Sequence, residues 1–165
     1  MKKLLVVLLS VMMLALTFGC SEKLQEITQG SFSIKLPTDV VVSDDEDVSN
    51  YYYTYLYNDD FALTVNEDEF DVFTELDVDP TTLDEEGYGN LLLSLYEMEG
   101  SFSQDSNGHY YFTYESTVDD VDYYYYLTVR KGEDSFWLMD FITYSENKDT
   151  LSKSFEKWSN TITIE

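Results

Sequence analysis

One cysteine, one histidine and nine basic residues are all that this 165-residue chain has of the side chains behind most covalent, metal and nucleic-acid chemistry. The single cysteine, Cys20, has no second thiol in the chain with which to form an internal disulfide. The single histidine, His109, leaves too few ligands for zinc, which draws on several His or Cys side chains. His109 follows an Asn-Gly turn, and no nucleophile motif of the G-x-S-x-G kind is present. It reads as an exposed turn residue, and no catalytic set and no cofactor motif is visible. The nine bases stand against 33 acids, a formal charge of −24. Binding a polyanion requires a basic footprint, so nucleic acid is excluded as a partner.

Long apolar runs are also missing, apart from one at the start. Residues 4–18 are almost uniformly apolar, but about 15 residues fall short of the roughly 20 that span a bilayer as a helix. Lys2 and Lys3 precede this run, and Gly19 follows it. A short positive start, a short apolar stretch and a small residue before a cut site describe a signal peptide. The segment Thr17-Phe18-Gly19-Cys20 resembles the lipobox of bacterial lipoproteins. That resemblance implies cleavage before Cys20 and a diacylglycerol, with acyl chains such as palmitate, on its sulfur. Lipid on Cys20 would hold the chain to the outer leaflet of the cell membrane, or to the outer membrane if the cell has one. The expected organisation is a signal peptide over 1–19, the lipidated cysteine and a short tether over 20–31, and one domain over 32–165.

That domain is acidic but not disordered in composition. Disordered chains are poor in aromatics, and this one has 15 Tyr, 10 Phe and 2 Trp. Residues 32–36 (FSIKL) alternate up to Pro37 and predict a strand, with 40–42 as an extension. Residues 51–57 (YYYTYLY) and 61–65 (FALTV) flank an Asn-Asp-Asp turn and predict a hairpin. Residues 67–82 are acidic and irregular. Residues 83–98 predict a helix, with Thr82 and Glu85 as a capping box and Tyr88, Leu91, Leu92 and Leu95 on one face. Gly100 is placed to stop it. Three strands follow, at 109–117, 123–130 and 135–144 (SFWLMDFITY). The last is the most apolar and is expected at the centre of the sheet. Ser145 is placed to cap a final helix over 146–159, whose Leu151, Phe155 and Trp158 share a face. Residues 161–164 (TITI) read as a closing edge strand.

Two helices and an antiparallel sheet make an α+β domain. The opening strand FSIKLP, the aromatic meander, the strand Phe136-Trp137-Leu138-Met139-Asp140-Phe141 and the last helix with Phe155 and Trp158 together resemble the PsbP and DcrB type of domain. The resemblance covers about residues 31–165. It implies an antiparallel sheet between helices, an α/β/α sandwich, and a non-enzymatic accessory role. Cystatin-like and NTF2-like domains are the structural alternatives.

The candidate sites follow from the two abundant residue types. Calcium takes oxygen ligands, and the acid-rich loops at Asp44, Asp45 and Asp47 and at Asp119, Asp120 and Asp122 are its candidates, although neither matches the D-x-[DN]-x-[DN]-G loop. Tyr51, Tyr53, Tyr55 and Tyr57 would share one strand face. Exposed, they form a binding platform; covered, they are core. A non-catalytic binding or accessory domain is the principal expectation. Its partner would be a protein or cationic peptide attracted by the charge. A calcium-responsive surface domain is one alternative. A small carbohydrate-active enzyme, built on two carboxyls in a cleft, is the other.

Overall fold

The computed structural model describes residues 23–45 and 52–165. Its strands are β1 (Leu24–Gln29), β2 (Phe32–Pro37), β3 (Val41–Val42), β4 (Thr54–Tyr57), β5 (Ala62–Glu69), β6 (Ser103–Gln104), β7 (Tyr110–Val118), β8 (Val121–Lys131), β9 (Ser135–Tyr144) and β10 (Thr163–Ile164). Helix α1 spans Glu85–Leu95 and α2 spans Lys148–Ser159. Seven strands form one sheet in the order β3-β4-β5-β9-β8-β7-β6, and β1-β2-β10 form a second. All pairings are antiparallel. The domain is α+β, as expected, and β9 lies at the centre of the large sheet.

Strand β9 shows how the layers are arranged. Trp137, Met139, Phe141 and Thr143 point to one face and are all buried. They meet α2 and the small sheet through Phe155, Trp158, Phe32 and Ile34, in one aromatic core. Phe136 and Leu138 point to the other face and are buried under α1, with Tyr88, Leu92 and Phe73. Tyr88 stacks on Phe136 at 4.5 Å, and its hydroxyl donates to Asp68 Oδ2 at 2.8 Å. Farther along this second face the cover ends. Asp140 and Ile142 are half-buried and Tyr144 is 46% exposed. Along β9, one face of the large sheet is therefore buried from Trp137 to Thr143, and the other is buried only at its start.

Several local expectations are corrected. Residues expected in the tether form a strand: β1 pairs with β2 from Leu24↔Pro37 to Gln29↔Phe32. Residues 41–42 do not extend β2. The chain turns after Pro37, and β3 joins the large sheet through β4. The capping box at Thr82 does not form, because Pro80–Thr82 is a 3-10 turn. Asp84 caps α1 instead, accepting from Gly87 N at 2.8 Å. A cap of this kind contributes about 1 kcal/mol. Helix α1 ends at Leu95, before Gly100, with Glu97 in the left-handed region at φ 55°. Ser145 does not cap α2; it opens a 3-10 turn, Ser145–Asn147, that leads into the helix. Strand β10 closes the small sheet on β2 rather than the edge of the large one.

Candidate functional site

The uncovered part of the large sheet is lined by tyrosine. Cross-strand register sets the rows. Tyr57 faces Ala62, which faces Ile142, which faces Tyr125, which faces Tyr114. In the next row toward α1, Tyr55 faces Thr64, then Asp140, then Leu127. Beyond the first row, Tyr144 faces Tyr123.

The rings form ladders across the strands. Tyr114 and Tyr125 stack at 4.4 Å with their planes 5° apart. Tyr123 and Tyr144 stack at 5.5 Å. Tyr52, Tyr55 and Tyr57 stack in sequence at 6.2 and 5.7 Å. Burial pushes the phenols of Tyr55, Tyr114 and Tyr125 up, so they are neutral hydrogen-bonding groups throughout the physiological range.

Two openings lie on this face. A cavity of about 290 Å³ sits between Tyr55, Tyr57, Tyr123 and Tyr144, with Asp59 and Asp60 at its lip. A second, of about 520 Å³, lies toward the end of α1 between Tyr52, Tyr53, Tyr96 and the carboxylates Glu67, Asp68 and Glu69. Neither is lined by Lys or Arg. The row holding Asp140 separates them.

Asp140 is the anomaly of the face. The Oδ1 atom is enclosed and has no hydrogen-bond partner, although the side chain as a whole is only half-buried. Desolvation pushes its carboxyl well above the usual carboxylate range. After burial, its charge is the next cause of the upward shift of the Tyr114 and Tyr125 phenols, and the register sets Tyr125 diagonally across from it on β8. The shifted carboxyls Asp79, Asp105 and Glu115 move the other way, each held down by hydrogen bonds.

The tyrosines singled out from the sequence divide. Tyr55 and Tyr57 lie on the open face. Tyr53 does not, because β4 starts only at Thr54 and the chain bends before it. The Tyr53 ring meets Trp137 edge-on at 4.8 Å, and its hydroxyl sits over Gly30, where a β-carbon would come within 2.0 Å of it. Tyr52 takes the expected place of Tyr53 in the ladder. Tyr51 lies outside the described residues, as do Asp47 and Cys20. Tyr114, Tyr123, Tyr125 and Tyr144 were missed as site residues. Their signal was present in the alternation of 123–129, which puts Tyr123 and Tyr125 on one face.

The acidic loops are less organised. Asp44 and Asp45 are exposed. Asp119 and Asp120 form the tight β7–β8 turn, both at positive φ, and Asp122 accepts from Thr117 Oγ1 at 2.6 Å. Among the described residues, no three His, Cys, Asp or Glu side chains are placed to hold a metal ion. His109 is half-buried, and burial followed by the charge of Arg130 holds its imidazole below its usual value. Arg130 is itself buried. It donates to Thr128 Oγ1 and to the carbonyls of Val129 and Ser159 at 2.7–2.8 Å, which ties the end of α2 to the sheet. That arrangement is structural, since each of these partners is part of the fold.

No family model and no curated protein matches the sequence. Solved structures do resemble the fold. The solution structure of cyanobacterial PsbP (CyanoP) from Synechocystis sp. PCC 6803 matches with a TM-score of 0.51 at 13% identity, covering 89% of this chain and 96% of that one. A crystal structure from Bacteroides thetaiotaomicron VPI-5482 matches with a TM-score of 0.53 at 13% identity over 87% of this chain; the match spans 48% of that longer protein. LpqN of Mycobacterium tuberculosis, described as involved in cell envelope biogenesis, gives a TM-score of 0.47 at 8% identity, covering 86% of this chain and 90% of that one. The fold is PsbP-like, and at these identities the likeness is one of fold alone.

Proposed function

We propose that this chain is a lipid-anchored, extracytoplasmic, non-catalytic binding domain of the cell envelope. Its partner is a cationic protein segment, and it docks on the open tyrosine face. One observation carries the docking reading: part of one sheet face is left uncovered, and that part is lined with stacked tyrosines and acids, with no base among the described residues that line its cavities. Tyrosine brings large contact area with a polar tip, which suits an interface. The chain's negative charge attracts a cationic partner and speeds its encounter. The anchoring reading rests on the leader and Cys20.

The chain is expected in the washed membrane fraction of cells that make it, and a Cys20→Ala chain in the soluble fraction. Purified, both should retain a lysine- and arginine-rich peptide in about 0.05 M salt and release most of it in about 0.5 M, where screening is much shorter-ranged. Retention that ignores salt would contradict the charge mechanism. A Cys20→Ala chain still in the membrane would contradict the anchor.

A further inference from the structure

We infer that Asp140 and the stacked pair Tyr114–Tyr125 form a seat for one arginine side chain of the partner. This deepens the docking reading and rests on it. The observation is a mismatch. The Asp140 Oδ1 atom is enclosed, and among the described residues nothing donates to it. A carboxyl in that position costs stability unless it is hydrogen-bonded and paired. Three bases of β8 and α2 are engaged elsewhere. Lys131 lies at the covered end of this face, over the rings of Phe70 and Phe136, and donates to the carbonyls of Pro80, Thr81 and Leu83. Arg130 points to the opposite face and is held by Thr128, Val129 and Ser159. Lys148 is paired with Glu115 and lies over Tyr124, also away from the open face.

The chemistry of the surroundings selects the cation. A guanidinium is planar, stacks on aromatic faces and presents a fork of donors that fits a carboxylate. It is also more weakly hydrated than an ammonium, so it is less costly to bring beside half-buried rings. Tyr114 and Tyr125 are parallel, Tyr125 sits diagonally across the β8–β9 ladder from Asp140, and Tyr55 lies in the Asp140 row. Asp140 is only half-buried as a whole, so part of its side chain is open to a group of the partner. Lysine would bring the charge without the stacking plane or the fork.

The test uses the purified full-length chain and three blocked pentapeptides that differ only at the centre: arginine, lysine or the neutral isostere citrulline. Affinity is read from the tyrosine ring signals by NMR titration. The arginine peptide is expected to bind at least tenfold more tightly than the citrulline peptide and several-fold more tightly than the lysine one. Asp140→Asn, which keeps the shape and removes a destabilising charge, should cost at least tenfold for arginine alone. Equal affinity of the three peptides, unchanged affinity in Asp140→Asn, or ring signals that stay still at millimolar peptide would each overturn the seat. If the long basic peptide still binds in a salt-sensitive way and shifts the tyrosines in Asp140→Asn as in the parent, the seat falls and the docking face stands. If the long peptide moves no tyrosine in either chain, both fall.

Discussion

Asp140→Asn is expected to make the protein more stable at neutral pH, because the amide keeps the shape of the carboxyl and cannot ionise in its enclosed position. The gain should grow with pH. Burial raises the folded-state pKa of Asp140 above the value of about 3.9 for an exposed aspartate, so the folded chain holds a proton that the unfolded chain has released. Where the folded state binds more protons, stability falls as pH rises. The loss therefore begins near the unfolded pKa and continues through the raised folded one, above which it levels off. The asparagine chain lacks this term, so the two chains should be nearly equal near pH 4 and diverge above it. The titratable groups that feel the Asp140 charge are the Tyr114 and Tyr125 phenols, with Tyr55 in the same row. All three are shifted upward from 10.0 and stay protonated across this window. Denaturant unfolding of both chains at several pH values isolates the effect, because the remaining acids are common to both. Parallel stability profiles would mean that Asp140 is well accommodated and that the face holds no frustrated charge.

Phe155→Ala is expected to have the largest effect on stability, a loss of about 3–5 kcal/mol. Phe155 is fully buried at the centre of the closed face. Its ring meets Phe141 at 5.0 Å, Phe61 at 5.6 Å, Trp158 at 5.8 Å, and Tyr124 and Tyr126 at 6.4 Å. Removing it opens a cavity lined by aromatic side chains that are fixed from several directions and cannot collapse into it. By contrast, Tyr57 is 41% exposed, and its truncation should cost under about 0.5 kcal/mol, as at most surface positions. Chemical denaturation of the two variants checks both figures. The contrast separates the two faces of the sheet: Phe155 lies in the buried core and Tyr57 on the open face. A Phe155→Ala loss no larger than that of Tyr57→Ala would remove that division.

The elements that were legible in the sequence are those whose pattern is set by burial. Residues 135–144 read as a central strand because they are apolar on both sides, and they are central. Helix α2 was legible through Phe155 and Trp158, both buried, and Leu151, which is half-buried. Strand β1 was not, because it pairs only with β2 and buries only Ile27, so LQEITQ has the composition of a linker. The Thr82 cap failed because Pro80 favours a local 3-10 turn, which moves the helix start to Asp84. The tyrosine face was half legible. Strand alternation correctly paired Tyr55 with Tyr57 and Tyr123 with Tyr125, but it could not foresee the bend that exchanges Tyr52 for Tyr53. Nor could it foresee that α1 covers only part of the sheet, which is a matter of where a helix lands. Asp140 had a signal that charge counting obscured: it is an acid in the middle of the most apolar strand. A local rule broken at a buried position is where function is expected to show. The acid-rich loops were the weaker lead, since their charge sits at exposed turns.

The most direct test of the open face as the docking site is an NMR footprint of the basic peptide on the uniformly labelled protein at low salt. Shifts are expected to concentrate on Tyr55, Tyr57, Tyr114, Tyr123, Tyr125 and Tyr144, with the signals of Asp119, Asp120 and the exposed side of α2 nearly unmoved. Small shifts spread over the acidic loops, with those six tyrosines unchanged, would mean that the peptide follows bulk charge and that the tyrosine face is not where this protein binds.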